Sequence, residues 1–290
     1  MKKFLAIVLS LCLMVTLLCS CGQTENPSSD NSSANKETVN VADFEGIWEI
    51  DNANAKIVKI DSAASTVTAY AENGIAIGTF AVKATDEGIV LKMGAFGEVT
   101  LKDATSLKIT TVPAVSLPSI TGKWDYVFGD LPDDTLLDIT SENRFVINGS
   151  QADYGNYEIR DNIISLSPTH ELSGAISHVL AGGGDVLNAT TPTVRYYVRE
   201  SAMSTDTGKA LYNYYKMFAN KWAVSGDDTF TLEFKDNGTF NVAGTTSGIW
   251  YPTANGAGVE YLDGTKEDIT VSNDAITLNY YAKTFNKKIG

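Results

Sequence analysis

Few side chains in this sequence are suited to acid–base chemistry near neutral pH. The two histidines are His170 and His178, and imidazole is the side chain whose charge changes in the physiological range. His170-Glu171 begins the His-Glu-x-x-His pattern of a helical zinc site, but Gly174 stands where the second histidine belongs. The two histidines are eight positions apart rather than the four that place two ligands on one helix face. We therefore expect neither a metal site nor a histidine-based catalytic centre.

Carboxylates are numerous, and some of them form two acidic groups. Asp130, Asp133 and Asp134 are close in sequence, as are Asp227 and Asp228. Such groups can ligate Ca²⁺, and a carboxylate pair can act as acid and base in hydrolysis. Both groups include an Asp-Asp-Thr sequence, however, and Asp side chains in turns commonly accept hydrogen bonds from backbone N–H groups. The recurrence favours turn formation, and we predict no catalytic residue and no cofactor.

Cysteine usage and net charge exclude several other kinds of site. The three cysteines are Cys12, Cys19 and Cys21, so the rest of the chain offers no disulfide framework, Cys-ligated zinc site or cysteine nucleophile. The 22 basic side chains are outnumbered by 35 acidic ones, which gives a net charge of −13. This charge disfavours nucleic acid as a partner, because phosphate neutralisation requires clustered Lys and Arg. Glycine-rich phosphate-binding motifs and the Gly-x-Ser-x-Gly motif are also missing from the sequence.

The N-terminus has the pattern of an export signal. Lys2 and Lys3 precede an apolar run from Phe4 to Leu18. About 15 residues at ~1.5 Å each span roughly 22 Å, which is shorter than the ~30 Å hydrocarbon core of a bilayer. The run therefore predicts a signal peptide over residues 1–20 rather than a transmembrane helix. Removal of the two lysines from the 22 basic side chains leaves 20 against 35 acidic ones, a net charge of −15.

The residues at the end of this run, Leu18-Cys19-Ser20-Cys21, resemble the lipobox of bacterial lipoproteins. The resemblance implies that Cys21 carries a thioether-linked diacylglycerol and becomes the mature N-terminus. An ordinary secretory signal that merely contains cysteines is the alternative. Acyl chains contribute about 0.8 kcal/mol per buried methylene, so two or three chains would anchor the protein firmly. We expect an exported protein that is lipid-anchored at the cell membrane or the cell surface.

Residues 21–43 are predicted to form a flexible tether that begins at the lipidated cysteine. The segment is rich in Ser and Asn and has almost no large apolar side chain, so it cannot bury enough surface to fold. About 22 residues of this composition have a root-mean-square reach of roughly 25 Å. Such a tether would hold a folded body close to the bilayer without fixing its orientation.

From Phe44 onward, one short pattern occurs three times: an apolar residue, any residue, Gly or Asn, any residue, and Trp. The pattern ends at Trp48, Trp124 and Trp222, and a Gly-x-aromatic sequence follows each of them, ending at Phe80, Tyr157 and Trp250. Internal self-similarity of this kind indicates repeated structural modules.

The repeat predicts the domain organisation. Module 1 covers residues 44–116, module 2 covers 117–200 and module 3 covers 218–290. Residues 201–217 form a connector with a short helix, because apolar residues have helical spacing from Leu211 to Phe218. Residues 168–192, which contain both histidines and three consecutive glycines, are predicted to be a loop inserted in module 2.

Each module is predicted to consist of short antiparallel strands. In module 3, Phe230, Leu232 and Phe234 alternate with polar residues, which is the pattern of a half-buried strand. The Asp236-Asn237-Gly238 sequence then favours a tight turn into a returning strand. Similar segments recur at intervals of about 8–12 residues, as in antiparallel sandwiches and barrels. The predicted fold class is all-β, with three tandem small antiparallel β-barrel or sandwich modules.

The Gly-x-Trp entry into a series of antiparallel strands, as in Gly122-Lys123-Trp124, is similar to that of the lipocalin-like (calycin-type) small β domains of bacterial lipoproteins. In that family the Trp begins the first strand, closes one end of the barrel and often stacks on a basic residue near the last strand. The resemblance implies that Arg199, or else Arg195, stacks on Trp124. Lysines occupy the matching region of the other modules: Lys108 in module 1, and Lys283 or Lys287 in module 3.

Aromatic side chains are the remaining indication of function. Several lie next to each other or close together: Tyr196-Tyr197, Tyr212, Tyr214-Tyr215, Trp250-Tyr251 and Tyr280-Tyr281. Neighbouring residues of a strand face opposite sides, so one ring of such a pair points away from the core. Outward rings can stack on sugars, anchor a protein partner or pack between modules.

These patterns together predict a non-catalytic binding or structural protein of the bacterial envelope. It would be held at the membrane by the lipid on Cys21, and its partner would be an envelope protein, a glycan or a small apolar molecule. The alternative is a carboxylate-dependent hydrolase of envelope polymers, or an inhibitor of such an enzyme.

Overall fold

The computed structural model describes residues 39–102, 108–170, 174–189, 193–272, 275–278 and 283–288. The predicted signal peptide, Cys21 and most of the predicted tether lie outside these ranges. The described residues form antiparallel strands and one α-helix, and the strands make three sheets, two of which close into barrels. The predicted all-β fold of tandem small β modules is therefore confirmed.

The sheet of module 1 has seven strands in the order β6-β5-β4-β3-β2-β1-β7. The alternation expected of a half-buried sheet is visible in β2, where Val58 and Ile60 are buried while Lys59 is exposed. The strands are β1 (Gly46–Glu49), β2 (Ile57–Asp61), β3 (Thr66–Tyr70), β4 (Ala76–Thr85), β5 (Gly88–Lys92), β6 (Glu98–Leu101) and β7 (Lys108–Ile109).

The strands of module 2 close into a barrel with the order β10-β11-β12-β13-β14-β15-β8-β9. Buried side chains such as Trp124, Leu137 and Phe145 pack together in its interior, as expected of a small barrel. The strands are β8 (Gly122–Gly129), β9 (Leu136–Ile139), β10 (Arg144–Asn148), β11 (Asp153–Arg160), β12 (Ile163–Pro168), β13 (Ile176–Ala181), β14 (Val186–Ala189) and β15 (Arg195–Arg199).

Module 3 is a second closed barrel, with its eight strands in sequence order. Leu232 pairs with Val242 and Phe234 with Phe240 across the predicted turn, in which Gly238 has a φ of 78°. The strands are β16 (Lys221–Val224), β17 (Asp227–Phe234), β18 (Thr239–Val242), β19 (Thr245–Thr253), β20 (Gly256–Tyr261), β21 (Lys266–Ser272), β22 (Ala275–Leu278) and β23 (Lys283–Lys288).

The segment 168–192 differs from the predicted loop insertion. Its described part contains β13 and β14, which complete the barrel of module 2. In β13, Ile176, His178 and Leu180 are buried while Ser177 and Val179 are exposed. The alternation is that of a strand, but a histidine occupies one buried position, and the glycines 182–184 form a turn of 3-10 helix between the two strands. Polar and glycine residues therefore concealed the strand pattern.

The three tryptophans of the repeat occupy equivalent places at the start of a first strand and are fully buried. Each indole N–H donates a hydrogen bond to a main-chain carbonyl just upstream: Trp48 to Phe44 (2.8 Å), Trp124 to Ile120 (3.0 Å) and Trp222 to Met217 (3.3 Å). In modules 1 and 2 the acceptor is the apolar residue that opens the sequence pattern, so the spacing there reflects a hydrogen bond that satisfies a buried indole. In module 3 the acceptor lies one residue before the pattern.

A basic residue of the last strand pairs in register with each of these tryptophans: Lys108 with Trp48, Arg199 with Trp124 and Lys287 with Trp222. The guanidinium carbon of Arg199 lies 4.2 Å from the ring centroid of Trp124, which confirms the predicted stacking. Lys108 lies over Trp48 with its Nζ 5.6 Å from the centroid. The Nζ of Lys287 is instead directed at module 2, where it lies 3.5 Å from a carboxylate oxygen of Asp133.

The connector contains a longer helix than the sequence predicted. The helix α1 (Asp206–Ala219) begins several residues before Leu211, because Thr205 caps it by accepting a hydrogen bond from the N–H of Gly208. One apolar core includes α1 together with buried residues of all three modules, chiefly modules 1 and 3. Short 3-10 helices span Val41–Phe44, Gly94–Phe96, Gly182–Gly184 and Glu200–Ser204. Within the described ranges, no helix is long and apolar enough to span a membrane.

Candidate functional site

A pocket of about 410 Å³ lies where α1 meets all three modules. We call it the junction pocket. Module 1 lines it mainly through β4, module 2 through β13 and β14, and module 3 through the turn before β18. Its lining residues are Ala64, Thr66, Ala76, Ile77, Gly78, Thr79, Ala181, Asn188, Tyr214, Tyr215, Phe218, Asp236 and Asn237. This volume is within the roughly 300–1,000 Å³ of small-molecule sites.

Tyr214 fixes the position of α1 at this junction. Its single hydroxyl hydrogen is shared between the carbonyl oxygens of Thr79 (3.2 Å) and Asp236 (3.1 Å), and its oxygen accepts from the N–H of Thr79 (3.3 Å). Its ring is stacked on Trp250, with centroids 5.5 Å apart. Burial raises the pKa of Tyr214, so the hydroxyl remains a neutral donor. One side chain therefore connects the helix with modules 1 and 3.

Two further aromatic residues of α1 line the pocket and connect it with module 2. The ring centroid of Tyr215 lies 5.2 Å from that of Tyr196 in β15, and 5.3 Å from that of Phe218. Tyr215 is 5% exposed, and burial raises its pKa well above the ordinary value. Its hydroxyl is therefore protonated across the physiological range.

The aromatic pairs noted in the sequence are thus largely used for packing. Tyr196, Tyr214 and Tyr215 pack between modules, while Tyr197 is fully buried with the interior residues of the module 2 barrel. Tyr280 and Tyr281 lie outside the described residues. Inter-module packing is one of the three uses expected for these rings, and it is confirmed for Tyr196, Tyr214 and Tyr215.

The polar groups of the junction pocket are mostly uncharged. The side-chain oxygen Oδ1 of Asn188 is buried and has no hydrogen-bond partner among the described residues. Thr66, Thr79 and Asn237 add hydroxyl and amide groups, and Asp236 adds a carboxylate. None of the described lining residues is Lys, Arg or His. The pocket therefore offers aromatic surface, neutral hydrogen-bonding groups and one negative charge.

A second, smaller cavity of about 250 Å³ is lined by Asp130 and His170, two of the residues considered for acid–base chemistry, together with Asp153 and Arg195. We call it the barrel recess, and it lies at module 2. The buried guanidinium of Arg195 holds Asp130 through two hydrogen bonds of 2.6 and 2.9 Å. The ring nitrogen Nδ1 of His170 lies 2.9 Å from a carboxylate oxygen of Asp153. Arg195 therefore forms an ion pair here, and Arg199 is the residue that stacks on Trp124.

The ionisation of Asp153 is set by opposing effects. Burial alone raises the pKa of its carboxyl, but hydrogen bonds from the His170 side chain and from the N–H groups of Tyr154 and His170 outweigh burial and lower the pKa. A general acid requires a pKa near the working pH. Asp153 is therefore suited to holding His170 rather than to donating a proton.

The two histidines have different environments. His170 is exposed at the barrel recess, with 67% of its side chain accessible. His178 is fully buried on the inner face of β13, and its ring centroid is 5.8 Å from that of Tyr197. Within the described part of the chain, no three His, Cys, Asp or Glu side chains are grouped as a metal site would require.

The predicted local hydrogen bond of the Asp-Asp-Thr sequences is present at Asp227, whereas Asp134 binds a residue sixteen positions away. A carboxylate oxygen of Asp134 accepts from the N–H and the hydroxyl of Ser150, at 2.9 and 2.6 Å. Asp227 accepts from the N–H and the hydroxyl of Thr229, at 3.0 and 2.5 Å. These carboxylates therefore satisfy nearby donors.

An ion-pair group between modules 1 and 3 was not anticipated from the sequence. Glu260 in β20 has a side chain only 4% exposed, and its two carboxylate oxygens bind Lys83 in β4 and Lys92 in β5. Burial alone raises the pKa of the carboxyl, but the hydrogen bonds from both lysines outweigh it and lower the pKa. The sequence feature that could have indicated this group is the charged Glu260 within the otherwise uncharged Gly256–Tyr261 segment. The sequence does not indicate which residues it binds.

Comparison with known proteins gives no relative on which a function could be based. No family model matches the chain, and no curated protein matches it in sequence.

Proposed function

We propose that this chain is an exported, lipid-anchored protein of the bacterial envelope that binds a ligand without catalysing a reaction. Cys21 would carry the lipid, and the junction pocket would hold the ligand. The lipid assignment is supported by the Leu18-Cys19-Ser20-Cys21 sequence after an apolar run that is too short to span a bilayer. The net charge of −15 after loss of Lys2 and Lys3 would be repelled by an anionic membrane, so the acyl chains would provide the attachment.

One observation carries the binding assignment. The junction pocket combines the aromatic residues Tyr215 and Phe218 with the buried, unpartnered Oδ1 of Asn188. A buried acceptor without a partner is costly, and a ligand that drew the Asn188 amide toward the pocket and donated a hydrogen bond to it would remove this cost. The barrel interiors, in contrast, contain closely packed core side chains, so the concave surface between the modules is the better ligand site.

The lipid assignment is tested by metabolic labelling with an alkyne analogue of palmitate in a bacterial host. We expect the full chain to be labelled and to sediment with membranes. Cys21→Ser should abolish both properties, whereas the matched variant Cys19→Ser should retain them. Labelling that persists in Cys21→Ser would contradict the assignment of Cys21.

The binding assignment is tested by thermal unfolding of the full chain with neutral oligosaccharides, fatty acids and short peptides as separate probe classes. A ligand that binds only the folded state at about 100 times its Kd stabilises that state by about 2.7 kcal/mol. We expect one class to raise the Tm, and the increase should be smaller in Asn188→Ala. The binding function would be refuted by an unchanged Tm with all three classes at millimolar concentration.

The barrel recess supports a second candidate function, because it brings Asp130 and Asp153 into one cavity. Two carboxylates about 5–10 Å apart are the machinery of glycoside hydrolysis. Here Arg195 and His170 already bind these carboxylates, and the lowered pKa of Asp153 opposes a role as acid. The hydrolase would be favoured if the parent chain released reducing ends from envelope glycans and Asp153→Asn did not.

A further inference from the structure

We propose that the ligand of the junction pocket is a neutral saccharide unit, taken as a free oligosaccharide or as the exposed end of an envelope glycan. This inference rests on the proposed binding function and specifies its ligand class. It is based on the aromatic surface, the uncharged hydrogen-bonding groups and the charge of the pocket.

The aromatic surface of the pocket suits a sugar ring. A pyranose has an apolar face of C–H groups, and such faces pack against aromatic rings, which present a negative π surface. Tyr215 and Phe218 line the pocket one helical turn apart on α1, with ring centroids 5.3 Å apart. Phe218 is partly exposed and offers the stacking surface, while Tyr215, which is 5% exposed, packs against its ring and holds it in place before any ligand arrives. The stacking surface is therefore preorganised.

The hydrogen-bonding groups of the pocket also match sugar hydroxyls. A hydroxyl both donates and accepts, and so do Thr and Tyr hydroxyls and, through different atoms, Asn amides. The pocket contains Thr66, Thr79, Asn188 and the buried Tyr215. The unpartnered Oδ1 of Asn188 requires a donor, which a sugar hydroxyl or acetamido N–H supplies once the amide turns toward the pocket.

Charge and size disfavour other ligand classes. The described lining residues include Asp236 and no basic side chain, and the chain as a whole has a net charge of −13. A fatty acid or a phosphate ester would therefore meet negative potential without a cation to bind. An apolar ligand would leave Oδ1 of Asn188 unsatisfied. The volume of about 410 Å³ accommodates about one or two pyranose rings, within the usual range for small-molecule sites.

The test is calorimetric titration of the full chain with maltotriose, chitotriose and galactotriose as neutral probes. Decanoate and the cationic trisaccharide of glucosamine serve as probes of other classes. We expect saturable binding of at least one neutral trisaccharide, weakened about fivefold or more in Asn188→Ala, as for the loss of one hydrogen bond. The matched control Asn156→Ala removes an exposed amide in β11 of the same module, and it should leave the affinity unchanged.

A second variant keeps the test decisive if Asn188→Ala does not fold. Asn188→Ser retains a polar side chain but withdraws the amide oxygen, and the same loss of affinity is expected. The saccharide assignment would be overturned if decanoate bound, no neutral trisaccharide bound, and Asn188→Ala weakened the binding of decanoate. The binding function would then remain intact. If the chain prefers the glucosamine trisaccharide, and Asp236→Asn abolishes this preference, the ligand is a cationic sugar and the assignment of a neutral one is wrong. Absence of binding by every probe would overturn both proposals.

Discussion

Tyr214 in the connector helix and Thr79 in the sheet of module 1 share two hydrogen bonds. The Tyr214 hydroxyl donates to the carbonyl oxygen of Thr79 at 3.2 Å and accepts from its N–H at 3.3 Å. The hydroxyl hydrogen is shared with the main-chain carbonyl oxygen of Asp236 in module 3, at 3.1 Å. The residues of module 1 that line the junction pocket are thus positioned by a side chain that lies 135 positions later in the sequence.

Tyr214→Phe should therefore destabilise the fold without altering its packing volume. The substitution removes the shared hydroxyl and leaves the carbonyl and N–H of Thr79 without this partner, which costs about 1–3 kcal/mol in the free energy of unfolding. Urea denaturation followed by tryptophan fluorescence measures the change. Tyr154→Phe is the matched control, because Tyr154 is 53% exposed, and its effect should lie within about 0.5 kcal/mol. Equal effects of the two substitutions would contradict the role of Tyr214.

Arg199 combines stacking on Trp124 with hydrogen bonds to its surroundings. It donates to the carboxylate of Asp185 at 2.9 Å and to the carbonyl oxygen of Ser119 at 2.8 Å, and its side chain is 14% exposed. Arg199→Ala should lower the free energy of unfolding by about 2–4 kcal/mol, from the loss of a cation–π contact and of charged hydrogen bonds.

The control for Arg199 is Arg160→Ala, which removes a guanidinium whose side chain is 82% exposed and which pairs with the exposed Glu158. Exposed ion pairs contribute about 0–1 kcal/mol, so this variant should be nearly as stable as the parent chain. Arg199→Lys should recover part of the loss, because an ammonium keeps the charge over the ring but not the planar set of donors. A full recovery would show that charge alone matters.

Glu260→Gln should destabilise the contact between modules 1 and 3 in a pH-dependent manner. The folded-state pKa of Glu260 is lowered from 4.5. Its contribution to the free energy of unfolding is therefore complete above the unfolded-state pKa, and it is lost as the pH falls through the folded-state pKa. We expect a loss of about 2–4 kcal/mol at neutral pH, because two lysines lose a charged partner. The difference between the variant and the parent chain should shrink below about pH 4.5.

Denaturation at a series of pH values checks this prediction, with Glu87→Gln as the control. Glu87 pairs with Lys102, but both side chains are exposed, at 76% and 68%, so its removal should have little effect. A destabilisation by Glu260→Gln that is the same at pH 3 as at pH 7 would show that the carboxylate charge is not the cause.

Much of the fold could be predicted because local patterns determine it. The alternation of Phe230, Leu232 and Phe234 predicted a strand that the structure places at Asp227–Phe234. The Trp pattern predicted the start of each module, and the basic partner of Trp124 was correctly assigned to Arg199. The strand and the module starts depend on residues that are close in sequence, and the assignment of Arg199 followed from the resemblance of the Gly-x-Trp pattern.

The remaining features depend on contacts between residues that are distant in sequence. The strand β13 was concealed because His178 occupies a buried position, and its following turn is held against module 1 by a hydrogen bond from Asn73 to the carbonyl of Gly183 at 2.8 Å. The junction pocket requires β4, β14 and α1 to meet, which no local pattern specifies. For the same reason, the partners of Glu260 could not be identified before the structure.

The junction pocket as ligand site is the central claim, and it is tested most directly by hydrogen exchange of the full chain with and without the neutral trisaccharide that binds most tightly in the titration. We predict slower exchange on ligand addition in residues 76–79 of β4, 186–189 of β14 and 214–218 of α1, which contribute lining residues to the pocket. The same experiment on Asn188→Ala should show less protection at equal ligand concentration. Protection confined to residues 130–131 and 151–153 at the barrel recess, or no protection anywhere, would contradict the claim.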